Sequence, residues 1–169
     1  AKWRAKDFLS ITGGLNARYN RTEFYKIVND LLGGDYYLNV NQFAERDFAS
    51  DETKYQNNLD YYIANGKAQS LKKGDKFGYD YYAHIYNVGG WANAGFSFGD
   101  FIADAGLKLG YEGFWKEGLV RNGLFPDDSK GVSKKSSFIT YGTKLGLKYA
   151  INGKMRVYAN IGYFNEAPK

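Results

Sequence analysis

The sequence predicts an all-β chain: an antiparallel up-and-down meander of about six strands from a larger transmembrane β-barrel, with one or two short loop helices. Three observations predict it. Apolar residues recur at every second position over stretches longer than an ordinary strand, with polar residues or glycine between them. The 169 residues include 16 Tyr, 12 Phe, 3 Trp and 21 Gly but only 2 Pro, a balance that suits strands. The predicted connections also sort by length, short ones alternating with long ones, as in outer-membrane barrels.

The first strand runs about Asp7 to Asn20, with Leu9, Ile11, Gly13, Leu15, Ala17 and Tyr19 on one face. Asn20-Arg21-Thr22-Glu23 reads as a short turn, and a second strand follows over about Phe24 to Leu32. Gly33-Gly34 opens a long polar loop, about 33–76. Inside it Val40, Phe43, Ala44 and Phe48 have helical spacing, so a short helix is expected there, capped by Asn39 or Asn41. A second helix is expected over Asn57 to Ala64, ending at the turn signal Asn65-Gly66. The third strand begins near Phe77 and reaches about Gly95, with a bend or bulge at Gly89-Gly90. Phe96 to Asp100 is read as a turn.

The fourth strand, about Phe101 to Trp115, sets Ala103, Ala105, Leu107, Leu109 and Tyr111 against Asp104, Gly106, Lys108, Gly110 and Glu112. A second polar loop spans about 116–135. The fifth strand, Ser137 to Tyr149, is the clearest. Ile139, Tyr141, Thr143, Leu145, Leu147 and Tyr149 share one face; Thr140, Gly142, Lys144, Gly146 and Lys148 lie on the other. Asn152-Gly153 closes a hairpin into the sixth strand, Lys154 to Phe164, with Val157, Ala159 and Ile161 on its apolar face. Lipid on one side and water on the other accounts for both sets. The residues expected to face lipid are Leu9, Ile11, Leu15, Leu107, Leu109, Leu145, Leu147, Val157 and Ile161. Tyr19, Tyr111, Trp115, Tyr149 and Tyr163 fall toward strand ends, where amphipathic rings favour the lipid–water boundary.

The net charge is +5, from 23 basic and 18 acidic residues. No basic block marks nucleic-acid binding, and Lys67, Lys72, Lys73 and Lys76 read as a solvated face. With no Cys, disulfides and thiolate metal sites are excluded. No stretch approaches 18 consecutive apolar residues, so no transmembrane helix is expected. The mean hydropathy of −0.54 is compatible with a membrane barrel, because only alternate residues meet lipid. Ala1-Lys2-Trp3-Arg4 has no signal-peptide pattern, and the reading is of an internal piece forming one domain.

No catalytic, metal or cofactor site is expected. The single His84 has only Asp80 in same-face register, at i−4, and a metal needs more. Asp100, Asp104 and Glu112 alternate with Lys108 and read as a charge-laced wall rather than general acid–base machinery. The loop acids lack EF-hand spacing. Candidate ligand contacts are the loop aromatics Tyr36, Tyr37, Tyr55, Tyr61 and Tyr62, whose rings could stack on a ligand while nearby amides bond to it. The alternative is a loop that packs on itself.

Three groups of segments carry a resemblance: Leu31-Leu32-Gly33-Gly34-Asp35-Tyr36-Tyr37-Leu38-Asn39-Val40 with Phe43-Ala44-Glu45-Arg46-Asp47-Phe48; Gly74-Asp75-Lys76-Phe77-Gly78-Tyr79-Asp80-Tyr81; and Tyr141 to Tyr149 through Asn152-Gly153-Lys154 to Tyr163-Phe164-Asn165-Glu166-Ala167-Pro168. In order and spacing they resemble the barrel of Bacteroidetes TonB-dependent outer-membrane receptors. The resemblance implies a barrel of about 22 strands around a plug, import of a scarce nutrient across the bacterial outer membrane, and no enzymatic activity. It implies membrane lipid, a TonB-type energising complex acting through the plug, and an accessory surface lipoprotein as partners. The chain departs from that family in having no plug and too few strands, so it would supply wall strands and outer loops. Exposing an apolar face and open edges, the isolated piece is expected to self-associate. A complete small outer-membrane protein and a soluble carbohydrate-binding β-sandwich are the alternatives.

Overall fold

The computed structural model describes residues 2–168. In chain order they form β1 (Lys2–Lys6), β2 (Leu9–Ile27), β3 (Tyr37–Leu38), α1 (Gln42–Asp47), α2 (Leu59–Asn65), β4 (Ser70–Leu71), β5 (Lys76–Phe98), β6 (Phe101–Gly118), β7 (Gly131–Val132), β8 (Ser136–Asn152) and β9 (Met155–Asn165). The main sheet has the order β1-β2-β5-β6-β8-β9, with β7 paired to β6; β3 and β4 form a separate two-stranded sheet. The protein is therefore all-β, an antiparallel six-strand meander with two short helices.

The strand count agrees with the sequence reading, but its composition differs. No turn exists at Asn20-Arg21-Thr22-Glu23: β2 passes through it without a break for 19 residues. Its side chains meet β5 instead. The Arg21 guanidinium lies 3.7 Å from the Tyr82 ring centroid, Glu23 pairs with Lys76, and Phe24 stacks on Tyr81 at 5.3 Å. Cross-strand pairs of this kind outweigh the weak turn preference of polar residues when no Gly or Pro enforces the turn. The sixth strand of the count is β1, which the sequence reading left out.

The long third strand is unbroken at Gly89-Gly90. What Gly89 permits is close approach, since a Cβ there would lie 2.9 Å from the Leu109 carbonyl oxygen on β6. The turn expected over Phe96 to Asp100 shrinks to Gly99-Asp100. In the β8–β9 hairpin the Asn152 side chain, rather than a left-handed Gly153, makes the turn, accepting from the Lys154 and Met155 amides at 2.9 Å each.

Both helices lie where the sequence places them. Asn41 caps α1, accepting from the Phe43 and Ala44 amides, and Asn58 caps α2, accepting from the Tyr61 amide. Such caps satisfy amide donors that a helix's first turn leaves without partners. Gly66 ends α2 in the left-handed region at φ 64°, where glycine carries no Cβ penalty.

The chain divides into two compact units. One comprises Ala1–Tyr19, Tyr86–Gly113 and Ser136–Lys169; the other comprises Asn20–Ile85 and Phe114–Lys135. The first holds the short connections after β1, β5 and β8. The second holds both long ones, and with them every buried hydrophobic residue among those described: Val28, Ala44, Leu59 and Leu71. Asn39, Gln56, Asn57 and His84 are buried there too. Among the described residues of the first unit the buried polar residue is Thr140, and no large aliphatic side chain is buried.

Candidate functional site

In the first unit, β8 and β9 show how the two faces of the sheet differ. Thr143 pairs with Tyr163, Leu145 with Ile161, Leu147 with Ala159 and Tyr149 with Val157; the intervening pairs are Lys144–Gly162, Gly146–Asn160 and Lys148–Tyr158. Side chains alternate across a strand, so these pairs fall on opposite faces. On the apolar face Leu107 and Leu145 are 57% exposed, Ile161 72% and Leu15 92%. Leu109, Leu147 and Val157 are exposed as well, while Leu9 and Ile11 are half-buried.

On the polar face glycines leave seats that neighbouring side chains cover. A Cβ on Gly146 would collide with the Asp104 carboxylate and lie 2.8 Å from the Asn160 amide oxygen. On Gly142 it would strike the Phe164 ring, and on Gly106 the Lys144 side chain. The predicted wall carboxylate Asp104 thus covers the Gly146 seat on the polar face.

Among the predicted boundary aromatics, Tyr19, Tyr111, Tyr149 and Tyr163 are exposed. Tyr111 lies against Tyr86 and Tyr163 against Tyr141. Trp115, in the second unit, is only half exposed, because the His84 ring lies flat on it at 4.6 Å with 4° between planes. His84 Nε2 is 3.0 Å from Glu117 Oε2. The neighbour expected for His84, Asp80, instead binds Lys76 at 2.8 Å. Among the described residues no three His, Cys, Asp or Glu side chains gather as a metal site would require.

Within the second unit the two long connections are bonded into one layer. The Leu59 amide donates to the Arg121 carbonyl, and the Gly123 amide to the Gln56 carbonyl, both at 2.8 Å. Asn122 Nδ2 donates to Asn57 Oδ1 at 3.4 Å. The interior of the layer is largely carboxamide. Asn39 Nδ2 and Asn58 Nδ2 both donate to Gln69 Oε1, and Gln56 Nε2 donates to the Glu52 carbonyl. Buried amides satisfied in this way hold irregular backbone beside the small apolar cluster of Val28, Ala44, Leu59 and Leu71.

Asp60 ties the layer's rim, accepting from Lys130 Nζ at 2.6 Å with Arg121 Nη1 at 3.6 Å. The hydrogen bond from Lys130 holds the Asp60 carboxyl below its ordinary value. A carboxyl depressed on folding adds stability above its unfolded value, and that contribution is lost as pH falls through the lower folded value. Acidification through and below the ordinary carboxylate range should therefore loosen the layer, read as lost amide protection at Leu59. Asp60→Asn should flatten that part of the profile. The effect should be small and weaken with salt, because the pair is 40% exposed on the Asp60 side.

The five loop tyrosines do not converge. Tyr36 and Tyr37 line an open depression with Asp35, Gln42 and Glu45. Tyr62 Oη donates to Glu52 Oε2 at 2.8 Å, and that bond raises the Tyr62 phenol above its ordinary value. Burial, then the Glu52 charge, does the same for Tyr55. Tyr61 contributes its carbonyl to Asn65 Nδ2. Tyr55, Tyr61 and Tyr62 are half-buried, so packing within the loop accounts for them.

The sequence reading missed a different aromatic group. Phe24 stacks on Tyr81, and Tyr79 lies 5.7 Å from Tyr81. Lys26 sits over Tyr79 and Phe77, and Lys116 over Tyr81. Phe77, Tyr79 and Tyr81 alternate visibly along the chain. Phe24 and Lys26 could not be joined to them while a turn was placed between them and the first strand.

The chain matches no family model, no curated protein and no solved structure.

Proposed function

We propose that this chain is part of the barrel wall of a TonB-dependent receptor in a bacterial outer membrane, supplying strands and outer loops for import of a scarce nutrient. The observation that carries the reading is the stripe of exposed aliphatic residues on one face of β6, β8 and β9, opposite a face of glycine, lysine and asparagine. Water gives no reason to keep such a stripe uncovered, whereas lipid requires it.

Strand length supports the reading. About 9–11 tilted residues cross a bilayer, and β2, β5, β6 and β8 have 19, 23, 18 and 17 residues, enough to cross and project beyond it. Among the described residues the order runs from β1 to β9 without a pairing between the two, which suits a section of a larger wall better than a small closed barrel. A soluble sandwich would need the apolar residues to cover one another, and they are exposed. The assignment to this receptor family rests on the three segment groups quoted above. Lipid, an energising complex acting through a plug, and an accessory surface lipoprotein would be the partners.

The chain has no Cys, which makes single-cysteine labelling clean. In phospholipid vesicles an aqueous maleimide should label Lys144→Cys and Lys148→Cys and spare Leu145→Cys and Leu147→Cys. Equal labelling at all four positions would overturn the proposal.

A further inference from the structure

One run of aromatic rings in the second unit carries positive charge with no acid beside it. Phe24 stacks on Tyr81 at 5.3 Å, and Tyr81 lies 5.7 Å from Tyr79. Lys116 Nζ stands 5.6 Å from the Tyr81 centroid, and Lys26 Nζ 5.1 Å from that of Tyr79. Along β2 and β5 these residues alternate with Glu23 and Asp80, which therefore take the opposite face and share Lys76 there. Among the described residues neither Lys26 nor Lys116 forms an ion pair. Phe24 and Tyr79 are each 43% exposed. A group of exposed rings marks an interaction site, and the two ammonium groups set the charge of what it takes.

The Lys116 end of the run borders a cavity of about 220 Å³, whose wall Lys116 shares with Asn41, Tyr79, Tyr81, Asn122 and Phe125. Backbone bonds fix that wall. The Lys116 amide donates to Ser133 Oγ and its carbonyl accepts from the Ser133 amide. The Leu119 amide donates to the Asp80 carbonyl at 2.9 Å. Asp80 also borders the cavity, but its side chain is only 10% exposed and its carboxyl is turned to Lys76 and Glu23. The carboxamide oxygens serve the backbone: Asn41 Oδ1 accepts from the Phe43 and Ala44 amides, and Asn122 Oδ1 from the Leu124 amide. What these two side chains have left to offer is N–H. The wall therefore combines a cation, N–H donors and aromatic surface.

An anion suits the Lys116 ammonium, and a flat ring suits Tyr79, Tyr81 and Phe125. A cation would be repelled, and a neutral ring would gain nothing from the charge. The volume falls below the about 300–1,000 Å³ of pockets for larger ligands, which leaves room for one ring. We propose that this cavity binds a small single-ring carboxylate, with the carboxylate on Lys116 Nζ and the ring against Tyr79, Tyr81 and Phe125. Lys26, further along the run, adds to the positive field that draws the anion in. Every residue of the site belongs to the second unit, so the proposal stands whether or not the sheet meets lipid.

The test is titration of the full chain with benzoate and with galacturonate, followed by calorimetry and ligand-observed NMR. The chain is held in a polyoxyethylene detergent, which brings neither charge nor sugar. At least one of the two should bind saturably; benzoate alone would mark the ring as aromatic, galacturonate alone as a sugar. The uncharged counterparts benzyl alcohol and galactose, and the ringless acetate, should each bind about tenfold more weakly or worse. Lys116→Gln should weaken the bound carboxylate about tenfold, the usual effect of losing a hydrogen bond to a charged group. Phe125→Leu, which removes an exposed ring, should weaken it about threefold. Lys73→Gln, at an exposed loop position, should leave binding unchanged. If Lys116→Gln fails to fold by circular dichroism, Phe125→Leu and the uncharged counterparts decide. Absence of saturable binding by both carboxylates overturns the proposal, as does undiminished binding by the folded variants. Equally tight binding of the uncharged counterpart, or of acetate, would also overturn it, since ring and charge would then not act together.

Discussion

Leu145→Arg should lower the equilibrium between membrane-inserted and released chain by about 30- to 700-fold. Leu145 stands near the middle of β8, faces Ile161 across the hairpin, and is more than half exposed. An arginine on the lipid face near a barrel's midplane costs about 2–4 kcal/mol, and each 1.4 kcal/mol is about tenfold. In water the same change should cost nothing, because an exposed leucine becomes an exposed arginine and no cavity forms. The sign of the result therefore separates the two solvents. Folding titrations with urea in phosphatidylcholine vesicles would measure it, with Lys148→Arg on the opposite face as the neutral comparison. If Leu145→Arg inserted as well as the native chain, or only improved solubility, the apolar stripe would not face lipid.

The parts of the fold legible in the sequence are those written by a local repeat. In β8 and β9 each residue's environment is set by its own parity, so Leu145, Leu147, Val157 and Ile161 could be assigned a face from sequence alone. The helices were legible because Asn41 and Asn58 cap their own first turns. Contacts between distant segments leave no such mark. Asn20 to Glu23 has the composition of a turn, and its pairing with β5, with Tyr82 under Arg21 and Lys76 on Glu23, keeps it extended. Glu117 stands 33 residues from His84, and no spacing rule joins them. The loop tyrosines formed a group in sequence but not in space, because α2 and the loop's hydrogen bonds direct Tyr62 toward Glu52 while Tyr37 packs on Phe77. The amide cluster of Asn39, Asn58 and Gln69 was equally hidden, since those side chains meet only after the long loop has folded.

Gly123→Ala should melt the layer formed by the two long connections while leaving the β8–β9 hairpin intact. A Cβ on Gly123 would overlap the Thr53 carbonyl oxygen and lie 3.2 Å from the Gln56 carbonyl oxygen. Both obstacles are backbone, so no side-chain rotation relieves them. Gln56 is itself buried, pairs with Val40 in an isolated bridge, and accepts the Gly123 amide. Moving it would therefore break bonds on both of its sides. Overpacking in a well-packed site costs about 1–3 kcal/mol and sometimes more, and the rigidity here places the expected loss at about 3 kcal/mol or above. Hydrogen exchange reads the outcome locally. The Asn57 and Leu59 amides, which donate to Asn39 and Arg121, should lose protection, while those of Leu145 and Leu147 should keep it. Gly153→Ala is the matched comparison, for a Cβ there meets nothing within 4 Å and Gly153 is not in the left-handed region. Should Gly123→Ala leave Asn57 and Leu59 protected, the second long loop does not pack against the first as the hydrogen bonds indicate. The Asn39–Gln69–Asn58 amide cluster beside it would then lose its support as well, since Leu59 and its cap Asn58 are held in place by Arg121 through that same contact.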